Sequence, residues 1–334
     1  VTTTEHAAAE APDRTAAGRP LLAVEGLGVE FRLRDTTVRA VTDLNLTVRT
    51  GELLAVVGES GCGKSVLAHA LLGLLPGNAT ITGHAVLHHP DSDPVDLVTC
   101  GQRHLARRVR GRRVGLVPQS PATALNPVRT GRRLLTETLR AHGRDRADAE
   151  QLALDVGLDP ADLDRYPHEL SGGMAQRLVT ALALAPDPSL LIADEPTTGL
   201  DRPLVDHTLD LLRRRCDNGS AVVLITHDLA AAQRVADTVA VMYASRIVEH
   251  TDADDLFAAP THPYAAALLD ALPDRAFRPV PGEPPMLTAL PPGCAFAPRC
   301  PHRTDTCASQ PPPTPIAGDG TVACHHPIRT GAVT

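Results

Sequence analysis

The chain has 334 residues, 43% of them hydrophobic and 21% charged, with a net charge of −7 and only 2% aromatic residues. That length suits about two domains with a full core. The acidity and the scarcity of rings argue against a nucleic-acid partner, which calls for basic grooves or stacking platforms. The longest strongly apolar stretch, residues 65–75, falls well short of the roughly 20 residues that cross a bilayer.

Residues 1–20 carry Glu5, Glu10 and Asp13 without an apolar run. A disordered tail is expected there, with no secretory or transit signal and the cytoplasm as the compartment. Apolar and polar residues alternate over 22–34 and 38–48, which predicts antiparallel strands. Residues 53–57 are instead a continuous apolar run ending at Gly58, the pattern of a buried parallel strand, and 65–75 reads as a helix closed by Pro76 and Gly77. Further buried strands are predicted at 114–117, 190–193, 221–225 and 238–242. Helices are predicted at 130–140, 147–156 and 204–216, the last opened by Asp201 and Pro203. The expected fold class is therefore α/β, with an antiparallel β subdomain first and a helical subdomain at about 120–185 interrupting the sheet. Beyond Ala259 lie 16 of the 30 prolines, so 260–334 is expected to form a separate loop-rich C-terminal module after a main domain at 21–259.

Of 32 basic residues 31 are Arg, and the single Lys is Lys64. It sits in Gly58-Glu59-Ser60-Gly61-Cys62-Gly63-Lys64-Ser65, a G-x-x-x-x-G-K-S run between a predicted strand and a predicted helix. Glycines there let backbone N–H groups converge on phosphate oxygens, and the Ser65 hydroxyl can ligate Mg²⁺. A compact ammonium at 64 fits a phosphate cradle that a planar guanidinium does not. A glycine turn merely capping a helix is the plainer alternative. It loses ground at 190–195, where an apolar strand ends in Asp194 and Glu195, because two carboxylates on a buried strand call for a cation.

With these residues in place the sequence resembles the ATP-binding subunit of an ABC transporter, a P-loop NTPase. Leu170-Ser171-Gly172-Gly173-Met174 is similar to the family signature, with Met in its last place. The resemblance implies that Gln119 is the Q-loop glutamine, Leu200 and Asp201 belong to the D-loop, and His227 is the switch histidine. It further implies that Ser65, Gln119 and Asp194 hold Mg²⁺ and that Glu195 directs the attacking water. Ser171, Gly172 and Gly173 would then act on ATP bound by a second subunit. Residues 121–127, 241–244 and 262–264 resemble the oligopeptide, dipeptide and nickel importer group. Membership implies two transmembrane permeases, an extracellular solute-binding protein acting indirectly, and a peripheral place on the cytoplasmic face of the membrane. Departures are Cys62 for Ser, Gly199 for Ala and Ser245 for Gly. The adenine-stacking aromatic of the wider family falls near Leu33, with Phe31 the nearest ring. A soluble ABC-type ATPase acting on ribosomes or DNA is the rival reading, and the paired cassettes or long inserted arms of such proteins are missing.

Cys294, Cys300, Cys307 and Cys324 crowd the C-terminal part with 5, 6 and 16 residues between them. In a reducing compartment metal binding or free thiols are favoured over disulfides. Those gaps do not make a zinc knuckle, and the resemblance points to a [4Fe–4S] cluster, with Zn²⁺ as the alternative and His302, His325 and His326 as further donors. The reading behind the metal is that this piece has almost no apolar core of its own. Two other features read as bland: the arginines at 103, 107, 108, 110, 112 and 113 as a solvated face or subunit contact, and His88 with His89 as a turn-end pair.

Overall fold

The computed structural model describes residues 18–90 and 92–328. The disordered tail expected at 1–20 falls mostly outside those residues, and Pro20 already opens a strand. The strands in chain order are β1 (Pro20–Arg32), β2 (Thr37–Arg49), β3 (Leu53–Val57), β4 (Ala79–His89), β5 (Ser92–Asp96), β6 (Val114–Val117), β7 (Leu190–Asp194), β8 (Ala221–Thr226), β9 (Thr238–Tyr243), β10 (Arg246–Asp252), β11 (Thr314–Pro315) and β12 (Thr321–Val322). They form an antiparallel sheet ordered β2-β1-β4-β5 and an eight-stranded sheet ordered β11-β12-β10-β9-β3-β8-β7-β6. Strands β9, β3, β8, β7 and β6 run parallel.

The central strands are apolar without interruption because both of their faces are covered. Successive side chains alternate between two cores. Leu53, Ala55 and Val57 enter one core with Leu191, Ala193, Val222 and Leu224. Leu54 and Val56 enter the other with Ile192, Val223 and Ile225. The first core is completed by Leu135, Leu139, Ala153 and Leu178 from the helices Gly131–Ala141, Asp148–Asp155 and Gly172–Leu184. The second is completed by the antiparallel sheet, through Leu22, Val29 and Leu46, and by Leu67 and Leu71 of the helix Lys64–Leu71.

Loops dominate beyond the helix Pro263–Asp270, and this segment packs on the rest of the chain. Strand β12 pairs with β10 and carries the main sheet outward. Tyr264 and Phe296 are buried in the first core, and Cys294, Ala295 and Cys300 pack against it. The premise that this piece has almost no core of its own is corrected accordingly: it shares the core of the nucleotide domain through Tyr264, Leu269 and Phe296.

Candidate functional site

Four of the anticipated groups fall at the carboxyl ends of adjacent parallel strands, where an open α/β sheet binds ligands. The P-loop follows β3, His227 follows β8, Asp194 ends β7 with Glu195 next, and Gln119 lies two residues beyond β6. Strand order β3-β8-β7-β6 sets them along one edge.

The P-loop conformation is one that only glycines allow at two points. Gly58 has φ 150°, and a Cβ there would lie 2.1 Å from the Met242 carbonyl oxygen of β9. Gly63 has φ 112°, and its Cβ would lie 2.0 Å from the Ala40 carbonyl oxygen. Lys64 opens the following helix and is 7% exposed. Its Nζ donates to the carbonyl oxygens of Gly58 at 2.7 Å and Glu59 at 3.0 Å, so the ammonium already lies folded back over the loop. Ser60 and Gly61 are exposed at its rim. Cys62 is buried, and burial pushes its thiol up, away from the reactive thiolate.

Asp194 is 2% exposed, and among the described residues its Oδ1 has no hydrogen-bond partner. Burial raises its carboxyl above the usual carboxylate range, the Ser65 hydroxyl bonded to it works the other way, and the Glu195 charge adds to the rise. A buried, half-partnered carboxylate beside a hydroxyl fits a hard cation such as Mg²⁺, which takes oxygen donors. Glu195 is held at φ 50° and is 7% exposed, with its N–H donating to the Ile225 carbonyl of β8. Its Oε1 lies 2.8 Å from His227 Nδ1. Gln119 is exposed at its strand end.

The signature residues sit elsewhere in the fold. Ser171 caps the helix Gly172–Leu184, its Oγ accepting from Met174 N–H at 3.2 Å. Ser171 and Gly172 are exposed. A Cβ on Gly173 would lie 3.2 Å from the Leu200 side chain, so the D-loop packs on the signature turn. Asp201 is exposed and caps the helix Arg202–Asp217 through Leu204 N–H at 3.2 Å. The helix end therefore faces outward, free to meet a ligand held by another chain.

The four C-terminal cysteines lie in one another's field: burial pushes the Cys324 thiol up to about 11, with Cys294, Cys300 and Cys307 adding to the rise. Backbone N–H groups of His302 and His326 donate to Cys300 Sγ at 3.4 Å and Cys324 Sγ at 3.3 Å. Among the described residues, however, no three or more His, Cys, Asp or Glu side chains are grouped to hold a metal ion. The geometry thus lends the iron–sulfur or zinc centre no support. Leu33 is exposed and Phe31 packs against the second core, paired with Val38 and Ala79.

Sequence reasoning did not anticipate that two residues of the C-terminal half, Tyr264 and Arg299, touch the P-loop, with Tyr243 behind Arg299. The Tyr264 hydroxyl accepts from Glu59 N–H at 3.0 Å, Arg299 grips the Glu59 carboxylate, and the Tyr243 hydroxyl bonds Arg299. They stand 205, 240 and 184 residues from Glu59 along the chain. No local pattern marks such pairs.

A family model described as ABC transporter matches residues 41–198, and one described as oligopeptide/dipeptide transporter, C-terminal region, matches 248–307. The oligopeptide transport ATP-binding protein OppD of Escherichia coli (strain K12) is 39% identical, covering 92% of this chain and 94% of that protein. The probable peptide ABC transporter ATP-binding protein y4tR of Sinorhizobium fredii is 42% identical over 87% of this chain and 90% of its own length. The solved dimeric structure of the bacterial ABC transporter cassette MJ0796 covers 70% of this chain and 99% of the cassette with a TM-score of 0.63 at 22% identity, a likeness of fold. Nothing in these matches favours the soluble ribosome- or DNA-acting alternative. On its strand-edge site and its full-length relatives, the chain belongs to the ATP-hydrolysing, ATP-binding subunits of ABC transporters, in their oligopeptide/dipeptide branch.

Proposed function

We propose that this subunit hydrolyses ATP to drive peptide uptake, working peripherally at the cytoplasmic face of a membrane. No helix among the described residues is long and apolar enough to cross one. The proposed partners are two transmembrane permeases, a second ATPase subunit and, indirectly, an extracellular solute-binding protein; peptide is favoured over nickel because the similar proteins are oligopeptide and peptide transport ATP-binding proteins by name. The proposed domain division is 21–259 for the nucleotide domain, with its helical subdomain at about 120–185, and 260–334 for the C-terminal module.

The observation that carries the catalytic reading is the strand edge where Lys64, the Asp194–Ser65 pair and the Glu195–His227 pair meet. In this reading the N–H groups of 58–65 and Lys64 Nζ receive the phosphates, the ammonium exchanging two carbonyl oxygens for phosphate oxygens. Asp194, Ser65 and Gln119 would hold Mg²⁺, which supplies positive charge to the phosphate oxygens. Glu195 orients a water for attack on the γ-phosphorus and takes its proton as the bond to the bridging oxygen breaks and ADP leaves. His227 holds the Glu195 carboxylate in place. Ser171, Gly172 and Gly173 present a helix N-terminus to the partner's γ-phosphate, with Asp201 beside them, so one chain supplies two half-sites.

The finer expectation of a [4Fe–4S] cluster, or Zn²⁺, on Cys294, Cys300, Cys307 and Cys324 rests on the crowding of these cysteines along the chain and on the resemblance, not on a grouped ligand set among the described residues. Brown, iron-containing protein from oxygen-free purification supports it. Colourless, metal-free protein overturns it. Transport is tested by rebuilding the chain with its permeases and binding protein in liposomes. Oligopeptides should raise ATP turnover above the basal rate, and stimulation by nickel alone would overturn the peptide reading.

A further inference from the structure

The P-loop contains an electrostatic contradiction. Residues 58–65 hold one acid, Glu59, and one base, Lys64, so the loop that must attract a polyphosphate has no net side-chain charge of its own. A carboxylate beside phosphate binding sites repels the ligand, and the repulsion grows where water is excluded. The structure answers this with a residue far along the chain. Arg299, 8% exposed, meets the Glu59 carboxylate in a two-pronged pair, Nη1 to Oε2 at 2.8 Å and Nη2 to Oε1 at 3.0 Å.

The guanidinium is itself fixed in place. Nε donates to the Pro281 carbonyl at 2.6 Å and Nη1 to the Tyr243 hydroxyl at 3.2 Å. Its carbon stands 5.7 Å from the Tyr243 ring centroid and 5.9 Å from that of Phe296. Tyr243, Tyr264 and Phe296 pack together with centroids 4.4 to 5.4 Å apart. A chain with only seven Phe and Tyr places three of them at this joint. Glu59 is thus held at both ends, its N–H by Tyr264 and its carboxylate by Arg299.

We propose that Arg299 is a positioning residue of the nucleotide site: it neutralises and ties back the Glu59 carboxylate, so that the loop binds phosphate with the full charge of Lys64. The C-terminal segment is then a working part of the P-loop. This rests on the nucleotide reading above, and the test separates the two. In the full-length chain, Mg-ATP affinity is measured by calorimetry for wild type, Arg299→Ala and Arg299→Ala with Glu59→Gln, each with its melting temperature. Arg299→Ala should weaken Mg-ATP binding about tenfold, and adding Glu59→Gln should return affinity to within about threefold of wild type, because the uncompensated charge is gone. A purely structural role would leave the double variant as weak as the single one, and that result overturns the proposal. So does unchanged affinity in Arg299→Ala. Should that variant not fold, Arg299→Lys takes its place, keeping the charge but losing the fork. A smaller loss, again reversed by Glu59→Gln, is then expected, and no loss is contrary. Wild-type chain that fails to bind Mg-ATP would defeat the nucleotide reading itself.

Discussion

Asp194→Asn should improve the empty protein while disabling the loaded one. Asp194 Oδ1 is buried without a hydrogen-bond partner among the described residues, and burial is the main cause of its raised carboxyl. An unsatisfied buried acceptor costs about 1–3 kcal/mol. The neutral amide removes the charge while leaving polar atoms to be satisfied, so a net gain of about 1 kcal/mol is expected in metal-free, nucleotide-free protein at pH 7. The pH dependence has a definite sign. The folded state holds this proton more tightly than the unfolded state, so wild-type stability falls as pH rises from the unfolded carboxylate range through the raised folded value. The advantage of Asn should therefore be full above that window and vanish below it. In the same variant Mg-ATP binding should drop at least about tenfold, since a charged oxygen donor is lost. Urea unfolding at pH 7 and pH 3, with calorimetry of Mg-ATP binding, checks both halves. An Asn variant that is less stable when empty and binds Mg-ATP normally would refute the reasoning.

Glu195→Gln should lower hydrolysis by about 100-fold or more while leaving ATP affinity near wild type, and size-exclusion chromatography should show an ATP-bound dimer accumulating; turnover within tenfold of wild type removes its assigned role. Gly63→Ala, which sets a Cβ 2.0 Å from the Ala40 carbonyl oxygen at a φ of 112°, should cost at least about 1–3 kcal/mol of stability and most ATP affinity, as melting and binding measurements would show. Cys62 and Cys216 should resist maleimide in native protein at pH 8, because burial raises both thiols and pushes Cys216 up to about 12. Rapid native labelling of Cys216 would contradict its environment.

What the sequence makes legible here is whatever is local. The run 53–57 reads as a two-faced buried strand from its unbroken apolar character, and Asp201 reads as a helix cap from its position before Pro203. The phosphate loop is legible because its glycines are required by backbone geometry within eight consecutive residues. The tie between Arg299 and Glu59 spans 240 residues, and neither residue carries a local mark of it. The C-terminal segment misleads for a related reason: proline and cysteine content reports missing regular structure, whereas Tyr264 and Phe296 find their core in strands laid down far earlier in the chain. The β4–β5 hairpin was obscured because β4 is only half buried, with exposed and intermediate positions along most of its length.

In the proposed mechanism each ATP is hydrolysed between the P-loop of one subunit and the signature turn of another. Mixed dimers test it through the distribution of two lesions, Lys64→Ala and Ser171→Arg. If sites are shared, placing the lesions on opposite subunits sends both to one site and leaves the other whole, so the single-turnover burst should retain about half the wild-type amplitude. Placing both lesions on one subunit beside a wild-type partner should damage both sites and abolish the burst. The reverse pattern, with activity surviving when one chain carries both lesions and lost when they are split, would show each chain using its own signature and would contradict the account.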